Sequence, residues 1–149
     1  MSQPDGKLLA SAVGLLSRRD FSRAELKQRL LRRASARVGQ AEVEQVLETV
    51  QAQGLLSEER FIEQFIRTRA ARFGPVRLRH ELLRRGVDQE RIEAALNAGC
   101  GDELARAQAL WQQRFKSAPA DLRERARQGR FLAARGFTHE VIRQVLAQP

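Results

Sequence analysis

A frame of helix, glycine turn and helix occurs twice in this chain, fifty residues apart, and it constrains the fold more than any other feature. Leu82, Arg85, Gly86, Glu90, Ile92 and Leu96 align without a gap on Leu132, Arg135, Gly136, Glu140, Ile142 and Leu146. In the first copy Pro75 suits an opening helical turn, because it has no N–H to leave unsatisfied and its φ is already helical. Gly86 suits the left-handed position that closes a helix. Asp88 is placed to cap the helix that follows, as Thr138 is in the second copy. A divergent third copy lies upstream. There Leu26, Leu30, Leu31, Arg32 and Arg33 match Leu78, Leu82, Leu83, Arg84 and Arg85, with Ala34 in place of the glycine and a longer connector through Gly39. Repetition of one helical unit predicts a stacked array.

Taken in order, residues 7–19 carry Leu8, Leu9, Ala12, Leu15 and Leu16 at helical spacing. Ser22 to Glu25 reads as a capping box for a helix reaching about Arg33. A third, acidic helix over residues 41–52 has Val43, Val46, Leu47 and Val50 inward and ends at Gly54. Ser57 caps a helix predicted over residues 58–73, whose apolar face is Phe61, Ile62, Phe65, Ile66 and Phe73. After Pro75, Leu78 and Leu82 form one apolar stripe, while Val76 and Leu83 form a second that predicts a second neighbour. Beyond Gly99-Cys100-Gly101, Asp102 caps a helix with Leu104, Ala107, Leu110, Trp111 and Phe115; Trp111 reads as core, not as a stacking platform for a base. Ala118-Pro119 is expected to open the next helix, and Thr138 the last. The fold class is all-α. Nine helices in three three-helix units, residues 1–53, 54–98 and 99–149, are expected to form an elongated, curved repeat array.

The charge is built into these helices. Of 27 basic residues 24 are arginine, and the net charge is +9, with nine basic residues in each third of the chain. Such a surplus fits a polyanion or an acidic protein partner. Helical phase sorts the arginines. Arg69 falls in the middle of an apolar face and needs an internal partner, with Glu81 and Glu90 nearest in sequence. Arg67, Arg77 and Arg84 point away from their apolar faces, as do Arg123, Arg127 and Arg130 at i, i+4 and i+7 opposite Leu132. These six are the candidate surface for a protein or DNA partner.

Reactive chemistry is not indicated. His80 and His139 sit in different units, Cys100 lies between glycines, and none of Lys7, Lys27 and Lys116 follows a phosphate-binding loop. The chain reads as a non-enzyme with no catalytic, metal or cofactor site. No run approaches the roughly 20 apolar residues of a membrane span. The start at residues 1–7 lacks the apolar core of a signal peptide. A single cysteine suits a reducing compartment, so a cytoplasmic, monomeric protein is expected.

Phe61-Ile62-Glu63-Gln64-Phe65-Ile66-Arg67-Thr68-Arg69, followed by the stretch from Gly74 to Gly86, resembles the RecX regulatory-protein family. Arg130 to Phe137 resembles that family's C-terminal signature and Ser17 to Leu26 its N-terminal one. Thr68 and Phe21 stand where the family often has serine and histidine. The resemblance implies tandem three-helix repeats that bind in the groove of the RecA recombinase–DNA filament. It implies inhibition of ATP hydrolysis, strand exchange and co-protease activity toward the SOS repressor, and hence modulation of DNA repair. Two other classes fit the residues. A DNA-binding protein built of helix-turn-helix units is opposed by the charge of residues 88–96, where Asp88, Glu90 and Glu93 outnumber Arg91. A helical adaptor with no DNA in its cycle is the third.

Overall fold

The computed structural model describes residues 6–34 and 39–147. The polar start at residues 1–5 and most of the connector, residues 35–38, lie outside the described residues. Among the described residues the chain is helical throughout: α1 (Gly6–Leu16), α2 (Arg23–Arg33), α3 (Gln40–Ala52), α4 (Glu58–Arg69), α5 (Pro75–Arg84), α6 (Gln89–Gly99), α7 (Glu103–Arg114), α8 (Leu122–Ala134) and α9 (His139–Ala147). They form two compact units. One comprises Met1–Ile62 with Arg84–Asp88, the other Glu63–Leu83 with Gln89–Pro149.

In the first unit α1, α2 and α3 close around Leu8, Ala12, Leu15, Leu26, Leu30, Val43, Val46, Leu47 and Val50, with Phe21 and Leu56 at its ends. These are the residues that helical periodicity places inward. Ser22 is fully buried. Its Oγ accepts the Glu25 N–H at 3.1 Å and donates to the Arg85 carbonyl at 2.7 Å. Only half of the predicted capping box forms, since the Glu25 carboxylate holds Arg19 at 3.3 Å and Arg85 at 3.2 Å. Glu44 ties α3 to α2 through Lys27 at 2.7 Å and Arg23 at 2.6 Å. These two cations, Lys27 foremost, hold its carboxyl below the ordinary range.

In the second unit α7, α8 and α9 bury Ala107, Leu110, Leu132, Phe137, Ile142, Val145 and Leu146. Gln128 occupies the repeat position that Leu78 holds in α5, and it is 2% exposed. Its Oε1 accepts the Trp111 indole N–H at 2.8 Å, while its Nε2 donates to Glu124 at 3.1 Å and to the Ser117 carbonyl at 3.3 Å. Trp111 packs against this core, in keeping with its spacing.

The two turn glycines have positive φ, 82° at Gly86 and 93° at Gly136. Each also meets the first turn of the preceding repeat's second helix. A Cβ on Gly86 would lie 2.3 Å from Ala24 Cβ, and one on Gly136 would lie 2.4 Å from Arg77 Cβ. At the second contact the turn carbonyls take two N–H groups that have no acceptor within α5. Gly74 N–H donates to Arg135 at 2.7 Å and Val76 N–H to Gly136 at 2.9 Å.

Three expectations need correction. α4 ends at Arg69 rather than near Phe73. The chain beyond it is drawn aside by the Gly74 hydrogen bond and by Arg106. That guanidinium donates to the carbonyls of Ala70, Phe73 and Cys100, each at 3.0 Å, so it holds two helix ends together. α8 opens at Leu122 rather than at Ala118-Pro119, because the Asp121 carboxylate caps it from outside, accepting the Glu124 N–H at 2.8 Å. Val76 and Leu83 are each 47% exposed, so the second apolar stripe of α5 is not buried by a neighbour.

Candidate partner-binding surface

All six arginines singled out by phase are exposed: Arg67 on α4, Arg77 and Arg84 on α5, and Arg123, Arg127 and Arg130 on α8. Arg69, by contrast, lies over the Phe65 ring at 4.0 Å and reaches Glu81 at 3.7 Å. Glu81 is one of its two predicted partners. The division of α4 into an internal and an outward arginine follows directly from its 100° step.

The structure joins Arg77 to the stripe on α8. Arg77 NH1 donates to the Ala134 carbonyl at 3.4 Å. Ala134 lies four residues beyond Arg130 on the same helical face, so the Arg77 side chain extends the row Arg123, Arg127, Arg130 by another turn. Glu81 accepts from Arg77 Nε at 3.2 Å, and Glu124 holds Arg127 at 3.3 Å. With guanidinium side chains 43% and 57% exposed, these pairs orient the arginines without withdrawing them from solvent. Arg67 is exposed on α4. Arg84 belongs to the other compact unit and is exposed at the end of its own helix.

Three further arginines of the second unit share the face, and periodicity did not single them out. Phe73 carries Arg77 at 4.0 Å, with Arg72 and Arg135 each at 5.7 Å from the ring centroid. Phe131 carries Arg135 at 5.3 Å and Arg114 at 5.9 Å. Phe115 carries Arg114 at 6.0 Å and Arg127 at 5.4 Å. The last two rings meet edge to face at 5.4 Å. The result is one continuous row, in which guanidinium groups and rings alternate from α4's end across α8 to α7. The i, i+4 spacing of Arg127 and Phe131 on α8 and of Arg135 at its C-terminal cap is legible. The approach of Phe73 and Phe115 to them is not, because it is made by distant parts of the chain.

Among the described residues no group of His, Cys, Asp and Glu could hold a metal ion. No helix among them is long and apolar enough to cross a membrane. Burial pushes the Cys100 thiol up, away from the thiolate a nucleophile requires.

Comparison with known proteins gives a consistent result. Residues 57–96 match the family model described as RecX, second three-helix domain, and residues 101–146 the one described as RecX, third three-helix domain. The chain is 45% identical to the regulatory protein RecX of Leptothrix cholodnii, over 97% of this chain and 90% of that one. It is 44% identical to that of Chromobacterium violaceum, over 96% and 91%. Among solved structures, the crystal structure of RecX from Lactobacillus salivarius superposes with a TM-score of 0.78 at 18% identity, covering 94% of this chain and 92% of the other. The all-α tandem-repeat architecture is therefore shared.

Proposed function

The chain belongs to the RecX family, and from this we propose that it is a negative regulator of the RecA recombinase. It binds the recombinase–DNA filament and inhibits its ATPase, strand-exchange and co-protease activities, thereby tempering DNA repair and the SOS response. It acts in the cytoplasm as a monomer, through three three-helix units at residues 1–53, 54–98 and 99–149.

The observation that supports this reading is the exposed row formed by Arg77 with Arg123, Arg127 and Arg130, all on faces the core does not use. Arg67 and Arg84 are further exposed arginines on their own helices. A filament offers acidic protein and DNA phosphates side by side. An arginine fork meets either with two hydrogen bonds. Several such contacts on one chain raise the effective concentration of each next one. Inhibition then needs no chemistry from the bound protein, only that the filament be held in one state. The helix-turn-helix alternative suffers from α6, where Glu90 and Glu93 flank a single Arg91.

The test is DNA-dependent ATP hydrolysis by the recombinase at physiological salt. The variants are Arg77→Glu with Arg84→Glu and, separately, Arg127→Glu with Arg130→Glu. Glu42→Lys with Glu48→Lys serves as the control. Each charge-assisted contact contributes about 1.5–3 kcal/mol, so losing two weakens inhibition on the order of 100-fold or more. Helical content should be unchanged. If both reversed pairs inhibit like the parent, these arginines form an ordinary solvated face. If the parent binds bare duplex as tightly as it binds filament, the plain DNA-binding reading takes over.

A further inference from the structure

We infer that the alternating row of arginine and phenylalanine in the second unit is a track for the phosphodiester backbone of a single nucleic-acid strand, indifferent to base sequence. The inference rests on the reading above and specifies which part of a nucleoprotein partner this face takes.

The row has three properties that bear on its ligand. Its guanidinium groups lie close together. Arg77 and Arg135 share one ring, Arg135 and Arg114 the next, and Arg114 and Arg127 the third. The distances to the shared centroids place neighbouring charges no more than about 11 Å apart, close to the Debye length of about 8–10 Å at moderate salt. Their potentials therefore add along the row. Arg72, Arg114 and Arg135 also have no carboxylate beside them among the described residues, whereas Arg77 and Arg127 do. The uncompensated charge thus runs along the row between the two paired arginines. Finally, Arg77 lies over the Phe73 ring at 4.0 Å and the other guanidinium groups stand within 6.0 Å of a ring centroid, an attraction that favours their present positions and so lowers the ordering cost when a ligand binds.

A ligand with one sign of charge repeated at short intervals fits this arrangement, and a phosphodiester strand is such a ligand. An acidic protein segment fits less well. Protein interfaces centre on exposed apolar and aromatic groups, and here Phe115 is buried and Phe73 and Phe131 are half-buried, with Arg77, Arg135 and Arg127 over Phe73, Phe131 and Phe115 in turn. The same overlay prevents bases from stacking on the rings, which is how many single-strand binders hold their ligand. Affinity should come from phosphate contacts alone.

The experiment measures binding of fluorescent dT and dA oligonucleotides by anisotropy across a salt series, with no recombinase present. The variants are Arg72→Gln with Arg114→Gln, both exposed, and the triple variant that adds Arg135→Gln. Arg18→Gln with Arg143→Gln controls for general surface charge, and thermal melting verifies folding. With single strands, log affinity falls by about 0.7 per phosphate contact per decade of salt. The double variant should therefore show a slope shallower by about 1.4, with affinity at low salt reduced roughly 10- to 100-fold. The parent should bind dT and dA alike. An unchanged slope in the double variant overturns the proposal, as does an equal change in the control. A large preference between dT and dA would mean that bases are read. Retained oligonucleotide binding with loss of poly-glutamate binding would assign the row to an acidic protein segment instead. Because recombinase is absent, these results stand or fall separately from inhibition of the filament.

Discussion

Replacing Gly136 by alanine isolates the contact between the α8–α9 turn and the start of α5. At φ 93° a Cβ costs about 1–2 kcal/mol. Restricting the unfolded chain returns about 0.4–1 kcal/mol, which leaves a net loss of roughly 1 kcal/mol from the backbone angle alone. Crowding is the larger effect. The added methyl would lie 2.4 Å from Arg77 Cβ and 2.6 Å from Arg77 N, and neither atom is the far end of a flexible side chain. The turn must retreat, opening the hydrogen bonds of 2.7 Å from Gly74 and 2.9 Å from Val76. Each group left unsatisfied costs about 1–3 kcal/mol. The total is on the order of 3–7 kcal/mol, or a fall in Tm of roughly 10 °C or more at about 2–4 °C per kcal/mol. Gly54→Ala is the matched control, since Gly54 has φ 78° and nothing within 4 Å of its Cβ position. It should lose only about 1 kcal/mol. Thermal melting of the two variants side by side decides the matter. If Gly136→Ala melts within a degree or two of Gly54→Ala, the crowding argument is wrong.

Arg69→Ala should destabilise by about 1 kcal/mol through loss of the Phe65 and Glu81 contacts, whereas Arg67→Ala should leave stability unchanged and weaken filament binding. The reverse ordering in paired melting and binding assays would show the phase of α4 to be misread. Glu44 has a folded-state pKa below its ordinary 4.5. Its contribution to stability is therefore fully present above that value and is lost as pH falls through the depressed one. Glu44→Gln should accordingly lower Tm at neutral pH and flatten its decline below about pH 5. An acid limb as steep as the parent's would exclude Lys27 and Arg23 as the cause.

Much of this architecture is legible from short stretches of sequence. Gly86 and Gly136 announce their conformation because a turn that closes a helix is a local event. Ser22, Ser57, Asp102 and Thr138 are legible as caps for the same reason. Arg69 gave itself away by lying among phenylalanines. Where two local signals competed, as Pro119 did with Asp121, the carboxylate cap prevailed because it satisfies an N–H that proline cannot reach. Periodicity reported that Val76 and Leu83 are apolar, but apolarity does not tell whether anything covers them. The row around Phe73, Phe115 and Phe131 and the hold of Arg106 on two helix ends depend on residues 30 or more positions apart in several cases. No window of sequence contains both sides of such a contact.

The direction of the two turn contacts bears on the order in which a ribosome delivers the parts. Ser22, at the start of α2, reaches the carbonyl of Arg85, which is synthesised 63 residues later. The opening amides of α5 find their acceptors at Arg135 and Gly136, about sixty residues further along. Each earlier helix start is thus completed by a later turn. The start of α8 needs no such successor, because Asp121 caps it from within its own loop. During synthesis the middle helix waits with unpaired amides until nearly the whole chain has emerged, and the most recently made repeat closes the one before it.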